Sequence, residues 1–190
     1  MSDELRHELW RKAIHTATLV VPVWIALAPD PLRHRGLLLA FALVLGLDVA
    51  RLRLPPVGRW AERRVGPYLR PRERHRLTSV HYLTFAALVL ARLLPRGIAA
   101  AALAFLVVGD AAAAVVGRRY GRRRWGKKSL EGSAAFFAAC IAAGLVFLPG
   151  HGLAVVVAAL VATLVEALPL PVDDNLSVPV AAALALVLLV

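Results

Sequence analysis

The sequence is poor in cysteine, in acidic residues and in long polar stretches, and each shortage excludes a class of protein. Cys140 is its only cysteine, so the chain can form neither an internal disulfide nor a thiolate metal site. Asp and Glu together number 12 against 23 Lys and Arg, which leaves a formal net charge of +11. No polar stretch is long enough to build a separate soluble domain. No helix or loop has a pattern suited to reading bases, so we expect no nucleic-acid partner in spite of the charge.

Long apolar runs are what the sequence has in abundance. Hydrophobic residues make up 59% of the 190 residues, and the mean hydropathy is +0.69. A bilayer core of about 30 Å requires about 20 apolar residues per helix, and continuous runs favour helices over alternating strands. We therefore predict one all-α, polytopic membrane domain over residues 1–190, a bundle of about seven transmembrane helices. The predicted spans are 13–29, 36–50, 78–94, 97–116, 133–149, 152–168 and 176–190, of which the second and the last are short.

The basic residues fall between these spans and are distributed unevenly between the two sides of the predicted bundle. The side that carries the N-terminus has 19 of the 23 Lys and Arg residues, and the other side has four. The positive-inside rule places the N-terminus and the connections 51–77, 117–132 and 169–175 in the cytoplasm. Helical spacing around Trp60 predicts that part of 51–77 lies along the membrane interface. We expect a protein of the cytoplasmic membrane with its functional residues on the cytoplasmic side.

An acidic residue within an apolar run, followed by a basic loop with glycines, is the most informative feature of the chain. A carboxylate inside a bilayer costs about 2.5–3.5 kcal/mol on insertion scales, so Asp110 is expected to face a polar interior and to have a function. The glycines permit close approach to a ligand, the lysines supply charge, and the next helix starts with N–H groups that favour an anion. We predict a site for a metal-bound phosphate, formed by Asp110, Gly117, Gly121, Lys127, Lys128, Ser129, Glu131 and Gly132.

An acidic cluster follows the sixth predicted span, in the order EALPLPVDDNLSVP. Its prolines end the helix, and paired carboxylates beside an amide are hard oxygen ligands suited to Mg²⁺. A helix cap by Asp174 or Asn175 is the simpler interpretation. Two adjacent acids, Asp173 and Asp174, together with Glu166 exceed what a cap requires.

A third group lies where the first predicted helix enters the membrane. Glu8, Arg11, Lys12 and His15 have the i, i+3, i+4, i+7 spacing of one helical face. Arginine and lysine there can hold phosphates, the first through a bidentate fork and the second as a point charge. Taken alone, the group is also what an ordinary collar of snorkelling side chains would look like.

These pieces together resemble the CTP-dependent lipid-alcohol kinases, which include dolichol, phytol and polyprenol kinases and CTP-dependent diacylglycerol kinase. The matching residues occur in the same order over nearly the whole chain: Glu8/Arg11/Lys12/His15, Asp48 to Leu52, Glu73 before Leu77-Thr78, Gly109-Asp110 through Gly117 and Gly121, Lys128 to Gly132, and Glu166 through Asp173-Asp174-Asn175 to Pro179. Ser79 departs from the pattern, in which we expect a glycine, and this weakens the contact near Glu73. Asp48 has a simpler interpretation as a partner of Arg51.

The resemblance implies transfer of the γ-phosphate of CTP to a membrane alcohol with the help of a divalent metal. Under this hypothesis Mg²⁺ binds to Asp110 with Asp173 or Asp174, and Gly117 and Gly121 let the loop close over the nucleotide. Glu131 or a spare aspartate orients the acceptor hydroxyl, and Glu166 positions Asn175 or a second metal. The cations that neutralise the triphosphate are Arg11, Lys12, Lys127 and Lys128, and Ser129, Gly132 and Asn175 complete the predicted nucleotide site.

Two other classes of function stay open at this level. Part of the pattern also resembles CTP:phosphatidate cytidylyltransferases, although the His-Gly-Gly…Asp-Arg-Asp signature expected near their end is replaced here by PVDDNLSVP. A channel or scaffold without enzymatic activity is the third class, and it would need polar groups across the full membrane depth. The sequence does not choose between a polyprenol, phytol and diacylglycerol as the acceptor.

Overall fold

The computed structural model describes residues 16–69, 71–126 and 128–190 of the chain. Within them, eight α-helices follow one another: α1 (Val20–Leu27), α2 (Asp30–Arg53), α3 (Pro55–Arg64), α4 (Ser79–Leu93), α5 (Arg96–Tyr120), α6 (Leu130–Phe147), α7 (Gly152–Ala167) and α8 (Asp174–Val187). Two 3₁₀ turns, Gly66–Tyr68 and Pro71–Arg74, lie between α3 and α4. The all-α prediction is confirmed, apart from a hairpin of two-residue strands, β1 (Arg124–Trp125) and β2 (Lys128–Ser129).

Seven of the eight helices coincide with the predicted apolar spans, and α3 is the amphipathic segment expected in 51–77. The prolines account for several boundaries, because a proline lacks the N–H that continues a helix but fits its first turn. Pro55 separates α2 from α3, and Pro95 is the N-cap of α5. In α3, Ala61 is buried and Trp60 is exposed, so one face packs on the protein.

Helix α2 extends beyond the predicted second span, 36–50, at both ends. Helix α2 runs over 24 residues, Asp30–Arg53, because its polar first turns find partners that hydropathy does not reveal. The guanidinium of Arg33 pairs with Asp30, and His34 Nε2 lies 3.1 Å from the carbonyl oxygen of Ala91 on α4. Arg96 at the start of α5 also pairs with Asp30, at 3.0 Å.

Helix α5 is the centre of the bundle. Every side chain from Ile98 to Val107 is buried, and the run of alanines among them allows neighbouring helices to approach closely. Helix α5 packs against α6, α8 and α1, while α8 also contacts α4 and α7. Many leucines on the outer surfaces are exposed, among them Leu39, Leu43 and Leu47 on α2.

By length and composition, α5 and α6 are the two helices among the described residues that are long and apolar enough to cross a membrane. Helices α4, α7 and α8 are also apolar but shorter.

Close helix packing at Gly144 gives a stability prediction. A Cβ at Gly144 would lie 2.5 Å from Val155 Cγ1 and 2.9 Å from the ring of Phe105, and both side chains are fully buried. We expect Gly144→Ala to destabilise the fold by about 1–3 kcal/mol, because overpacking outweighs the better helix propensity of alanine. Thermal unfolding followed by circular dichroism in detergent measures the effect.

Gly46 on α2 provides the matched control, because nothing lies within 4 Å of a Cβ built there. Gly46→Ala should leave the unfolding midpoint unchanged or raise it, since alanine adds up to about 1 kcal/mol to the free energy of unfolding. If the unfolding midpoints of the two variants change equally, close packing is not the reason for the glycine at position 144.

Candidate functional site

A cavity of about 220 Å³ lies between the second half of α5, the hairpin, the start of α6 and the end of α7. Six residues that the sequence singled out line it: Asp110, Gly117, Lys128, Ser129, Gly132 and Glu166. The structure therefore brings the Asp110 segment, the basic loop and part of the acidic cluster together at one place. Ala113, Ala114, Arg118, Arg124 and Ser133 complete the wall.

The glycines of the loop hold α5 and α6 close together. A Cβ at Gly117 would lie 3.1 Å from Ser129 Oγ, and one at Gly132 would lie 3.2 Å from the carbonyl oxygen of Ala113. A Cβ at Gly121 would clash with the carbonyl oxygen of Gly117. We predicted that these glycines admit a ligand, and the structure shows that they also permit the helix contact that shapes the cavity.

Ser129 and Glu131 organise the N-terminus of α6. Ser129 is its N-cap, and Ser129 Oγ accepts a hydrogen bond from Gly132 N at 3.1 Å. The Glu131 carboxylate accepts a hydrogen bond from Arg123 N at 3.2 Å, which fastens the loop after α5 to the first turn of α6. Glu131 is not among the residues that line the cavity.

A partly buried ion pair lies on one side of the cavity. Lys128 Nζ donates hydrogen bonds to both Glu166 Oε1 and the Glu166 carbonyl oxygen, joining β2 to the end of α7. The Glu166 side chain is 7% exposed, and that of Lys128 is 34% exposed. The pair fixes the cavity wall because it joins two of its elements. Removing either partner would leave the charge of the other uncompensated.

Two other acids lie close enough to Glu166 to act on its charge. Both Asp110 on α5 and Asp174 at the start of α8 repel the charge of Glu166. Asp174 and Asp110 are therefore near the same carboxylate, although Asp173, Asp174 and Asn175 are not among the residues that line the cavity. Among the described residues, no group of three or more His, Cys, Asp and Glu side chains has the geometry of a metal site.

Asp173 and Asn175 have structural partners. Asp173 is the N-cap of α8, where the cap had been predicted at Asp174 or Asn175. Its Oδ1 accepts from Asn175 N at 3.1 Å and Asn175 Nδ2 at 2.7 Å, and its Oδ2 accepts from Arg72 Nη2 at 2.5 Å. The extended backbone of Asp173 precedes the first helical residue, which is the geometry that a cap requires.

Two carboxylates from outside α4, those of Asp48 and Glu73, accept hydrogen bonds from the backbone N–H groups at its start. Asp48 Oδ2 accepts from Thr78 N at 2.8 Å, and Asp48 Oδ1 accepts from Arg51 at 3.0 Å, as predicted for that pair. Glu73 Oε1 accepts from Ser79 N at 2.9 Å and from its hydroxyl at 2.5 Å. Serine at position 79 therefore adds a contact to Glu73 instead of weakening it.

The remaining predicted site residues, Glu8, Arg11, Lys12, His15 and Lys127, lie outside the described residues. Reasoning from the sequence missed Arg118, Arg124 and Ser133 on the cavity wall and Arg72 on Asp173. Arg118 and Arg124 belong to the predicted basic loop. The sequence showed that many cations are clustered there but did not indicate which of them line the cavity. Nothing in the sequence indicated Arg72, because its partner lies 101 residues away.

Comparison with known proteins gives one distant relative. The chain is 23% identical over 188 residues to the "Uncharacterized protein RP860" of Rickettsia prowazekii (strain Madrid E), covering 94% of this chain and 92% of that protein. No protein-family model matches the chain, and no solved structure gives a significant match.

Proposed function

We propose that this chain is an integral membrane kinase that transfers the γ-phosphate of CTP to the hydroxyl of a membrane lipid. The observation that carries the proposal is the cavity, in which Asp110 and Glu166 lie with the cations Arg118, Arg124 and Lys128 at one end of an apolar bundle. Carboxylates next to clustered cations suit a metal-bound polyphosphate. The resemblance to the CTP-dependent lipid-alcohol kinases supplies the choice of nucleotide and of acceptor.

The surface of the bundle supports a membrane location. Large apolar side chains are exposed on most helices, including Leu43 on α2, Val146 on α6 and Leu164 on α7, and water would penalise such a surface. Helices α5 and α6 have the length of a membrane crossing, and the shorter α4, α7 and α8 require a locally thinned bilayer. The basic connections favour a cytoplasmic location of the cavity, where CTP is available.

The donor set at the cavity fits Mg²⁺ that arrives with a nucleotide. Mg²⁺ keeps several waters and needs one or two protein carboxylates beside the phosphates. Asp110 lines the cavity and is the first carboxylate for this role. Asp174 acts on the charge of Glu166 from outside the cavity lining and is the second, while Asp173 is engaged by Arg72 and Asn175. When bound, the ion would neutralise charge on the phosphates. Asp173 then serves by fixing the turn that carries Asp174.

Phosphoryl transfer depends mainly on alignment and charge stabilisation. Arg118, Arg124 and Lys128 neutralise the phosphates from the loop side of the cavity. Gly117 and Gly132 keep the wall narrow, so the phosphates lie near the backbone of α5 and α6. The lipid hydroxyl reaches the cavity laterally from the inner leaflet, with its tail between helices, and apolar helix faces accept isoprenoid and acyl tails alike.

Product identification tests the proposed function. The purified protein in lipid nanodiscs is incubated with Mg²⁺, with phytol, polyprenols, diacylglycerol or phosphatidate, and with CTP, ATP or GTP labelled in the α- or γ-phosphate. We expect the γ-label of CTP to appear in a lipid monophosphate, with CDP as the second product. Transfer of the α-label to lipid with release of pyrophosphate would identify a cytidylyltransferase. No nucleotide-dependent product with any acceptor would exclude both enzymes.

A further inference from the structure

Helix α3 carries an aromatic and two basic side chains on one outer face. Pro56, Arg59, Trp60 and Arg63 have the i, i+3, i+4, i+7 spacing of a helical face, and all four are exposed. These four residues form the α3 basic face. The one acid in the sequence of α3, Glu62, falls outside this spacing. The face therefore combines a large apolar ring with two guanidinium groups and no carboxylate.

No acid among the described residues neutralises the two arginines of this face. Glu62, the nearest acid along the helix, pairs instead with Arg74 of the Pro71–Arg74 turn, at 3.3 Å. An arginine without an acidic partner offers a flat fork of N–H donors that binds a phosphate in a bidentate manner. The α3 basic face is thus suited to phosphate groups that reach the protein from outside.

The packing of α3 fixes the direction in which the α3 basic face points. Ala61, on the other side of the helix, is 4% exposed. A Cβ at Gly58 would lie 2.9 Å from the carbonyl oxygen of Arg51, so α3 lies close against the end of α2. Because these contacts occupy the inner side of α3, the α3 basic face is turned away from the bundle.

The outer surface of α2 indicates what surrounds α3. Leu39, Leu43 and Leu47 recur every four residues as an exposed stripe, and exposed Leu54 follows at the joint with α3. Water would penalise such a stripe, and in the proposed membrane location it contacts acyl chains. Helix α3 begins where the stripe ends, which is the level of the lipid headgroups.

We propose that the α3 basic face binds the headgroups of anionic phospholipids, with Arg59 and Arg63 on the lipid phosphates and the Trp60 ring between headgroups and acyl chains. Tryptophan favours this level of a bilayer because its ring is apolar and its N–H is polar. Arginines are attracted to the surface of an anionic leaflet. A soluble acidic partner would match the charges but not the leucine stripe beside them. The proposal rests on the membrane location in the proposed function and not on the kinase reaction.

Quenching of tryptophan fluorescence by brominated lipids tests the proposal. The full chain is placed in phosphatidylcholine nanodiscs that contain either phosphatidylglycerol or phosphatidylcholine with brominated acyl chains, over matched mole fractions and at low salt. The signal of Trp60 is the difference between wild type and Trp60→Phe. We expect both lipids to quench Trp60, with an affinity for phosphatidylglycerol at least about fivefold higher, the factor that one arginine near an anionic surface contributes. High salt should reduce this preference, because it screens exposed charges.

Two double variants show whether the preference belongs to the α3 basic face. Arg59→Gln/Arg63→Gln should abolish it, because both charges are removed. Arg35→Gln/Arg92→Gln removes the same charge from exposed residues near the start of α2 and in the last turn of α4 and should retain it. Arg35 lies about 27 Å along α2 from the last residue of that helix. The unfolding midpoints of both variants should equal that of the wild type, since all four arginines are exposed.

Several outcomes would overturn the proposal. Equal affinities of the two brominated lipids in the wild type, or an unchanged preference in Arg59→Gln/Arg63→Gln, would show that the face does not select anionic headgroups. Loss of the preference in both double variants would assign it to net charge alone. A Trp60 signal that neither lipid quenches would place α3 outside the bilayer. A protein that shows the preference but forms no lipid phosphate would refute the kinase reaction and leave this surface intact.

Discussion

Asp110→Asn is expected to lower CTP-dependent lipid phosphorylation about a thousandfold while the protein still inserts and folds. Asparagine keeps the shape of the side chain but removes the negative charge at the cavity wall, next to the proposed Mg²⁺ and triphosphate. Losing one preorganised electrostatic contact in a water-poor site typically costs two to three orders of magnitude in turnover. Initial rates of lipid phosphate formation in nanodiscs, with the amount of folded protein measured by size exclusion, give the comparison.

Glu62→Gln is the matched control for this experiment. It removes the same charge from an exposed residue of α3, whose partner Arg74 lies 3.3 Å away and is also exposed. Turnover of the control should stay within about twofold of the wild type, since exposed ion pairs contribute little. Raising the Mg²⁺ concentration should restore part of the activity of Asp110→Asn if metal binding is what the charge provides. Normal turnover in Asp110→Asn would remove this residue from the site.

Local features of the sequence sufficed to place the helices. Continuous apolar runs predicted seven of them, and Pro169 and Pro171 marked the end of α7 at Ala167. The start of α2 was missed because Arg33 and His34 are polar, and their partners belong to other turns or helices. A hydropathy value is an average over neighbouring residues in the chain, so it contains no information about such partners.

Six of the eleven residues that line the cavity were predicted, because five of them lie within 24 residues of one another in 109–132. Ion pairs between residues far apart in the chain were not predicted. The partner of Lys128, Glu166, is 38 residues away. Spacing along the chain likewise suggested two equivalent aspartates in 173–174, whereas the fold gives Asp173 the cap and Arg72.

Asp48→Ala is expected to destabilise the fold by about 3–5 kcal/mol, the usual result of removing one partner from a buried, charged hydrogen-bond network. Asp48 is 4% exposed, and its carboxylate accepts three hydrogen bonds, from Arg51 Nη2, Thr78 N and Thr78 Oγ1. Alanine leaves the N–H of the Thr78 N-cap unsatisfied and frees the Arg51 guanidinium from its carboxylate. In detergent, the unfolding midpoint should fall by about 10 °C, given the usual dependence for chains of this size.

The companion residue Glu73 makes the experiment specific for the capping role. Glu73→Gln retains an oxygen for Ser79 N and for the Ser79 hydroxyl, so its midpoint should fall much less than that of Asp48→Ala. Glu62→Ala, at an exposed ion pair in the same connection, should change stability by less than about 1 kcal/mol. If Asp48→Ala behaves like Glu62→Ala, the carboxylate does not hold α2 to α4. The resemblance would then be the remaining reason to keep Asp48, with a role in the reaction and not in the fold.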